Sequence, residues 1–503
     1  MFTRRRFLQS VGALAVSGCA RGQGRFASYP FTLGVASGYP SPSGITLWTR
    51  LTSLLDPVSL PLKWEVASDE SMRTVVSSGE TTANPDWSHS VHVDVQGLEP
   101  DRWYWYRFTA SDAQSPIGRT RTAPAAAADT ARLRFAFASC QQYEQGYFSA
   151  YRHIVADDPD LIAFLGDYIY ESTWGREHVR SHGSPEPYSL EDYRARHALY
   201  KGDPDLRAAH AACPWIFTWD DHEVSNDYAN EQGQYLQADF VQRRAAAYRA
   251  YYEHMPLERA MLPQGAGLRL YERFEWGRLA AFHMLDDRQY RHIQVCPHPK
   301  RGGGSNVIDD AACPERRDPQ RSLLGAAQEQ WLHAGLADSV ARWNVLGQQS
   351  IMAQLDRTPG PGATYWTDSW DGYPAARRRL LDFVAERKPG NVVVIGGDVH
   401  SHWVCDLKQD FDRPESPAVA TEFCGTSITS QAWAQARNAA LLPDNAHVKF
   451  VSSERRGYVV MAVTAKACQV QLRGIDNEKL RETGIATQAS FVVEDGRPGA
   501  QPT

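Results

Sequence analysis

The stretch DLIAFLGDYIYE, residues 160–171, decides the class of fold. Its apolar run, residues 161–165, has no alternating polar residue and is followed at once by Gly166 and Asp167. An uninterrupted apolar run of this length is typical of a strand that is buried on both faces, as in layered α/β domains. Because ligands gather at the carboxyl ends of such strands, Asp167 and the nearby Tyr170 are candidate site residues.

The same pattern recurs on both sides of this stretch. Amphipathic helical patterns, such as residues 239–255 and 326–341, separate the strand-like runs. The alternation predicts a layered α/β domain over residues 132–490. Four further runs end in polar residues: RLRFAFASC at Cys140, PWIFTWDDHE at Asp221 and His222, RLAAFHMLDDRQY at Asp286 and Arg288, and NVVVIGGDVH at Asp398 and His400.

These polar strand ends predict a metal site. A single Asp after a strand is usually a turn or helix-capping residue. Taken alone, Cys140 is more often a buried thiol and Tyr170 a packed core residue. Several carboxylates that converge at one sheet edge, however, repel one another unless a cation lies between them.

Residues 28–125 follow a different pattern, with short alternating apolar runs between turns rich in Pro, Ser and Gly. This pattern predicts a small β-sandwich of the fibronectin or immunoglobulin type in front of the α/β domain. Leu98, Pro100 and Tyr104 have the spacing of a tyrosine corner, in which the hydroxyl ties a strand to its preceding loop. Residues 491–503 are expected to form a loose C-terminal tail.

Residues 1–27 are predicted to be a twin-arginine export signal, because Arg4, Arg5 and Arg6 precede a short apolar stretch. That stretch is too short to span a membrane. The run ending at Cys19 resembles a lipobox, which implies lipidation of Cys19; the alternative is a chance cysteine in an ordinary signal peptide. The expected location is the periplasm, or the membrane surface as an anchored lipoprotein, with the twin-arginine translocon as export partner. The formal net charge of -6 offers no basic field for nucleic acid.

Cys296 and Cys313 bracket a loop rich in Gly, Pro and basic residues. In an oxidising compartment this arrangement is compatible with a loop-closing disulfide. Two buried free thiols are the alternative.

Taken in chain order, SCQ, GDYIYE, WDDHEVSND, MLDDRQYR and GGDVHSHW resemble the motifs of the alkaline phosphatase D family of metallophosphoesterases. GVASGYP and GITLWTR resemble the N-terminal sandwich of that family, and the resemblance covers residues 28–475. It implies a four-layer α/β/β/α metallophosphoesterase domain that hydrolyses phosphate mono- or diesters by attack of metal-bound hydroxide. Acquisition of phosphate outside the cytoplasm is the implied role.

The resemblance also implies a role for each strand-end residue. The ligands of an Fe3+ ion would be Cys140, Asp167, Tyr170, Asp398 and His400, a donor set that suits ferric iron. Asp221 would bind a second, harder cation, which the resemblance implies is Ca2+. His222 would stabilise the transition state or protonate the leaving oxygen. Arg288 would clamp the phosphate, or else form a structural salt bridge to Asp286 or Asp287.

Two other functions are compatible with the sequence. One is a phospholipase D-like or nucleotide phosphodiesterase on the same scaffold. The other is a surface-anchored binding protein with a dead catalytic domain, against which stands the retention of every group that the chemistry needs. In the segment WDGYPAAR, Trp370 and Tyr373 either contact the substrate at the site entrance or pack against the domain.

Overall fold

A computed structural model describes residues 26–54 and 56–503 of the chain, so residues 1–25 of the predicted export signal, Cys19 included, lie outside the described residues. The N-terminal part contains the strands β1 Val35–Gly38, β2 Gly44–Arg50, β3 Leu60–Ala67, β4 Val75–Ala83, β5 Ser90–Gln96, β6 Trp103–Ala110, β7 Ala113–Gln114 and β8 Gly118–Arg121. Strands β1, β2 and β5 pack on a sheet of β3, β4, β6, β7 and β8, with Leu47, Leu62 and Phe108 in the core between them. The tyrosine corner is confirmed, since the amide of Glu99 donates to the Tyr104 hydroxyl over 2.9 Å.

The rest of the chain alternates helices and strands. The helices are α1 Ala150–Ala156, α2 Leu190–Lys201, α3 Pro204–Ala212, α4 Phe240–His254, α5 Gly325–Asp338, α6 Pro374–Arg387 and α7 Gln435–Ala439. The strands are β9 Arg132–Ala138, β10 Leu161–Leu165, β11 Trp215–Thr218, β12 Glu272–Trp276, β13 Ala280–Met284, β14 Val307–Asp309, β15 Trp343–Gly347, β16 Thr364–Trp366, β17 Asn391–Gly396, β18 His402–Lys408, β19 Ala418–Cys424, β20 Val448–Ser452, β21 Gly457–Thr464, β22 Ala467–Ile475, β23 Ile485–Glu494 and β24 Arg497–Pro502.

Two large sheets form the centre of the molecule. The first has the order β24-β23-β22-β21-β9-β10-β11-β1-β2-β5, and the second the order β12-β13-β15-β17-β19-β18-β20. Strands β9, β10 and β11 are parallel to one another, as are β13, β15, β17 and β19. The carboxyl ends of each parallel set therefore lie along one edge of their sheet.

The sheets stack face to face, with helices on both outer faces. Phe135 of β9 meets Phe282 of β13 edge to face, with ring centroids 5.0 Å apart. On β11, the Thr218 hydroxyl donates to the carbonyl oxygen of Leu285 near the second sheet, whereas Trp215 stacks on His210 of α3. Apolar side chains of α5 and α6 cover the outer face of β17, among them Leu380. This arrangement confirms the predicted four-layer α/β/β/α fold.

The N-terminal sandwich and the catalytic sheets share hydrogen bonding. Strand β1 pairs parallel to β11, with Gly38 opposite Trp215, so β1, β2 and β5 extend the first large sheet. A Cβ atom at Gly38 would lie 2.7 Å from the carbonyl oxygen of Pro256, closer than side chains tolerate. The predicted boundaries at residues 28–125 and 132–490 stay a prediction.

The expectation of a loose tail from residue 491 is wrong. Phe491 and Val493 lie in β23 and are buried, and β24 pairs with β23 at the end of the first sheet. The Gly- and Pro-rich composition of the tail favours a loose segment. The open edge of β23, however, provides backbone hydrogen-bond partners that the pattern of neighbouring residues does not reveal.

Cys296 and Cys313 form a disulfide, which rules out the alternative of two free thiols. Among the residues that the structure describes, no helix is long and apolar enough to cross a membrane.

Candidate metal centre and active site

The candidate site lies where the carboxyl edges of the two sheets meet. Cys140 lies two positions after the end of β9, Asp167 two positions after the end of β10, and Asp398 two positions after the end of β17. Asp221 stands three residues beyond β11. Above them opens a cleft of about 860 Å³, which we call the acidic cleft and whose lining includes Asp167, Asp221, His222, Asp398 and His400.

The backbone is unusual at four of these positions. Cys140, Asp167, Asp398 and His400 have φ values of 59°, 57°, 65° and 53°, in the left-handed region that residues with a Cβ rarely occupy. Each such residue costs of order 1–3 kcal/mol and persists only where the surrounding structure imposes it. These sharp turns aim the side chains back over the ends of the strands.

Three predicted ligands form an inner group at the base of the cleft. The ligand atoms of Cys140, Asp167 and His400 all lie within 4.8 Å of one another. The hydroxyl of Tyr170 donates to Asp167 Oδ2 over 2.7 Å and lies 3.2 Å from His400 Nε2. Ser430 holds that hydroxyl from behind by donating to it over 2.8 Å. Thiol, carboxyl, phenol and imidazole therefore converge, as the sequence predicts.

A second group shares Asp167 with the first. The ligand atoms of Asp167, Asp221 and His222 also lie within 4.8 Å of one another. Asp398 belongs to neither close group, but it lines the same cleft and its charge acts on the Cys140 thiol. Asp167 thus occupies the position from which one carboxylate could bind two cations.

The electrostatics of the site favour bound cations. Burial, with the nearby charge of Asp167, raises the pKa of the Cys140 thiol, and burial raises that of the Asp167 carboxyl, both well above their usual ranges. Burial also raises the pKa of Asp398 to about 6. Asp167 Oδ1 and Asp398 Oδ2 are buried and accept no hydrogen bond from any described residue. Buried anionic oxygens without partners are costly, and a cation among them would remove that cost.

His400 is oriented as a ligand. Its Nδ1 lies 2.8 Å from the carbonyl oxygen of Gln431, so the Nδ1 proton is donated there and Nε2 is left free. Burial lowers the pKa of His400 to about 3, which keeps the ring neutral. A neutral imidazole with a free Nε2 is the form that binds metals.

His222 is held by Glu171, a residue to which sequence reasoning gave no role. Its Nδ1 lies 2.6 Å from Glu171 Oε2, and the other carboxylate oxygen accepts the amide of Asn226 over 2.9 Å. Burial opposes the charged form of His222, but the carboxylates of Glu171 and Asp221 outweigh it and raise its pKa well above the usual range. The ring is therefore fixed with Nε2 directed away from Glu171, in a side chain that lines the cleft.

Arg288 does not lie where a phosphate clamp must lie. It is fully buried and does not line the acidic cleft. Its Nε donates to Asp220 Oδ1 over 2.5 Å, and its Nη1 lies 2.7 Å from Asp368 Oδ2. The alternative ion pairs with Asp286 and Asp287 are not formed, since the guanidinium is bound by Asp220 and Asp368 instead. Arg288 instead compensates aspartates beneath the cleft.

Sequence reasoning also missed a third cluster. Ligand atoms of Asp221, Asp227 and Asp368 lie within 4.8 Å of one another. Asp227 follows the WDDHE motif closely, so its signal was present in the sequence. Asp368 lies in a loop whose neighbouring residues form no recognisable motif, so the sequence does not indicate a role for it.

Trp370 and Tyr373 are buried and do not line the cleft. The Trp370 indole donates to Gln348 Oε1 over 3.1 Å, so these aromatics pack rather than form the entrance. A separate groove of about 1150 Å³, lined by residues such as Arg278 and Val419, contains none of the predicted site residues.

A four-layer fold with two ligand groups that share one carboxylate at the sheet edge defines the class of metallophosphoesterases. Models of two families match the chain: PhoD-like phosphatase over residues 135–472, and the N-terminal domain of PhoD-like phosphatase over residues 18–124. Alkaline phosphatase D of Bacillus subtilis (strain 168) is 46% identical over 512 residues, which span 98% of this chain and 85% of that protein. A solved structure described as PhoD is 44% identical, covers 95% of this chain and 93% of its own, and has a TM-score of 0.90.

The chain therefore belongs to the PhoD-like phosphatase family. It is a phosphoesterase that acts on small-molecule phosphate esters, and the family implies that it depends on metal.

Proposed function

We propose that this enzyme hydrolyses phosphate mono- or diesters outside the cytoplasm with a mixed pair of cations. The observation that carries the proposal is the sharing of Asp167 between two ligand groups at the base of one cleft. An Fe3+ ion would be bound by Cys140, Asp167, Tyr170, Asp398 and His400, because thiolate and phenolate favour ferric iron. Asp167 and Asp221 would supply oxygen ligands to Ca2+.

When bound, these cations would supply Lewis-acid stabilisation of the phosphoryl group and a lowered pKa for the attacking water. The protein's own residues provide orientation and charge balance. His222 would face the substrate and either stabilise the developing negative charge or protonate the leaving oxygen, while Glu171 fixes its ring orientation and favours its protonated form. Arg288 would offset the aspartates below, a reassignment from the clamp that the sequence suggested.

Export through the twin-arginine translocon, lipidation of Cys19 and a role in phosphate acquisition complete the proposal. Residues 1–27 carry the export motif. The mass of the mature N-terminus tests this part, because an unmodified terminus downstream of Cys19 would contradict lipidation.

The test of the catalytic proposal is elemental analysis of the purified protein, with p-nitrophenyl phosphate and bis(p-nitrophenyl) phosphate assayed before and after chelation of calcium. We expect about one iron per chain, and activity that chelation removes and calcium restores. A much faster reaction with the diester would favour the phosphodiesterase alternative. Absence of bound metal and of hydrolysis after reconstitution with both ions would favour the dead binding protein.

A further inference from the structure

The acidic cleft extends beyond the ligand groups to a wall that carries two arginines. Arg357 and Arg437 both line the cleft, together with Trp366 and Trp433. Arg357 is half-buried, whereas Arg437, in the short helix α7, is exposed. The charges of Asp371 and Asp398 favour the charged form of Arg357, and that of Arg437 opposes it.

Aromatic rings, rather than carboxylates, hold both guanidinium groups. The Arg437 guanidinium carbon lies 3.6 Å from the ring centroid of Trp433, and that of Arg357 lies 5.1 Å from the ring centroid of Trp366. A ring that contacts the face of a guanidinium leaves the N–H donors at its edge free to bind an anion.

The arginines of this protein that are buried are held either by carboxylates or, as Arg196 and Arg456 are, by backbone carbonyl oxygens. Arg377 lies 2.6 Å from Asp371, and Arg291 lies 2.7 Å from Asp368. By contrast, Arg357 and Arg437 form no ion pair with any carboxylate in the part of the chain that the structure describes, and the buried Nε of Arg357 has no acceptor there. Burial opposes the charge of Arg357 and lowers its pKa. An unpaired guanidinium in a cleft is stabilised by an anionic ligand.

We propose that Arg357 and Arg437 form a subsite for a second phosphate group of the substrate. This inference rests on the proposed function and adds a substrate class, namely phosphate esters whose alcohol part carries another phosphate. A cleft of about 860 Å³ has room for such an alcohol beside the phosphate under attack. Planar, forked donors are well matched to phosphate oxygens. The second phosphate belongs either to a small bisphosphate or to the next link of a phosphodiester chain.

The experiment compares paired substrates with and without the second phosphate. Hexane-1,6-diol bisphosphate is compared with hexyl phosphate, and the thymidine trinucleotide TpTpT with the dinucleotide TpT. We expect the metal-loaded enzyme to prefer the two-phosphate member of at least one pair. In the double variant R357Q/R437Q this preference in kcat/KM should fall by at least about tenfold, mainly through KM. If the enzyme prefers the two-phosphate member of the hexyl pair alone, the second phosphate belongs to a small bisphosphate. If it does so for the thymidine pair alone, the second phosphate belongs to a phosphodiester chain.

The matched control is Arg269→Gln, because Arg269 is also exposed and lies over an aromatic ring, that of Tyr271 at 4.7 Å, but does not line the cleft. This variant should keep the wild-type preference. Equal values within both pairs for the wild type, or an unchanged preference in the double variant, would overturn the subsite. Equilibrium binding of the two hexyl compounds is measured alongside turnover. If no ester is hydrolysed, the proposed function fails, and the binding preference still decides the subsite.

Discussion

Replacing Asp167 by Asn should have opposite effects on activity and on the stability of the metal-free protein. Asp167 and Asp221 have ligand atoms within 4.8 Å. Two unit charges at that distance repel by about 3.5 kcal/mol at an effective dielectric constant of about 20. Burial opposes ionisation of Asp167 most strongly, and the charges of Glu223 and Asp398 add to it, whereas the charge of His222 favours ionisation. Asn has the same shape without the charge, so it removes this repulsion.

In the presence of a chelator, we expect the variant to gain up to about 3 kcal/mol in free energy of unfolding, and the gain should increase with pH as the carboxyls of the wild type ionise. Thermal melts would show this gain as a rise in Tm of a few degrees. In the metal-loaded protein the same change removes the carboxylate that both ligand groups share. Hydrolysis of p-nitrophenyl phosphate should then fall by roughly 1000-fold.

The matched control is Asp287→Asn. Asp287 is another buried aspartate at the sheet edge, and burial raises its pKa to about 7, but it belongs to neither ligand group. Its activity should stay within a few-fold of the wild type. A fully active Asp167→Asn enzyme, or a metal-free variant that melts below the wild type, would refute the reasoning.

Glu171→Gln should lower kcat by about 10- to 100-fold with little change in KM, because His222 loses the carboxylate charge that holds it protonated and oriented. Steady-state kinetics with p-nitrophenyl phosphate separate kcat from KM, and an additive loss in the double variant with His222→Ala would contradict the coupling. Arg288→Met should cost about 3–5 kcal/mol in urea unfolding, because it leaves Asp220 buried without a counter-charge and Asp368 with Arg291 alone. A loss below about 1 kcal/mol would argue against the charge-balancing role. Burial lowers the pKa of His197 to about 3, whereas the usual pKa of histidine is about 6.5. Between these two pH values the unfolded chain binds a proton on His197 that the folded chain does not, so the free energy of unfolding should fall by up to about 1.4 kcal/mol for each unit of decreasing pH. Urea unfolding from pH 8 to pH 5 should show a shallower fall for His197→Gln. Gly38→Ala should destabilise the junction between the N-terminal sandwich and the α/β domain by a few kcal/mol, because its Cβ would meet the carbonyl oxygen of Pro256. The ester specificity should not change. Thermal melting tests the loss of stability, and the ratio of the kcat/KM values for monoester and diester tests the specificity.

Local patterns were sufficient for the elements and for most of the site. The buried strands β9, β10, β11 and β17 are visible as uninterrupted apolar runs, and the residue that follows each run is a candidate ligand. Parallel strands force their ends to one edge, so the convergence of Cys140, Asp167 and Asp398 follows from the class of fold. The tyrosine corner at Tyr104 could be predicted for a similar reason, since its hydrogen bond spans only five residues.

Local patterns failed where a residue's role depends on partners that are distant in the chain. The tail forms β24 because it pairs with the open edge of β23. Arg288 is a buried counter-charge because Asp220 and Asp368, which come from two separate loops, lie beside its guanidinium group. Asp368 itself has no recognisable motif. In each case the deciding contact joins residues that only the folded chain brings together.

The amino-acid sequence by itself determined the order of strands and helices, the family and the identity of the candidate ligands, because periodicity and motifs are properties of neighbouring residues. Only the tertiary structure decided which histidine is held by Glu171 and which arginines remain unpaired at the wall of the cleft. Charge pairing and desolvation depend on distances in space, and those distances exist only once the two sheets have packed together.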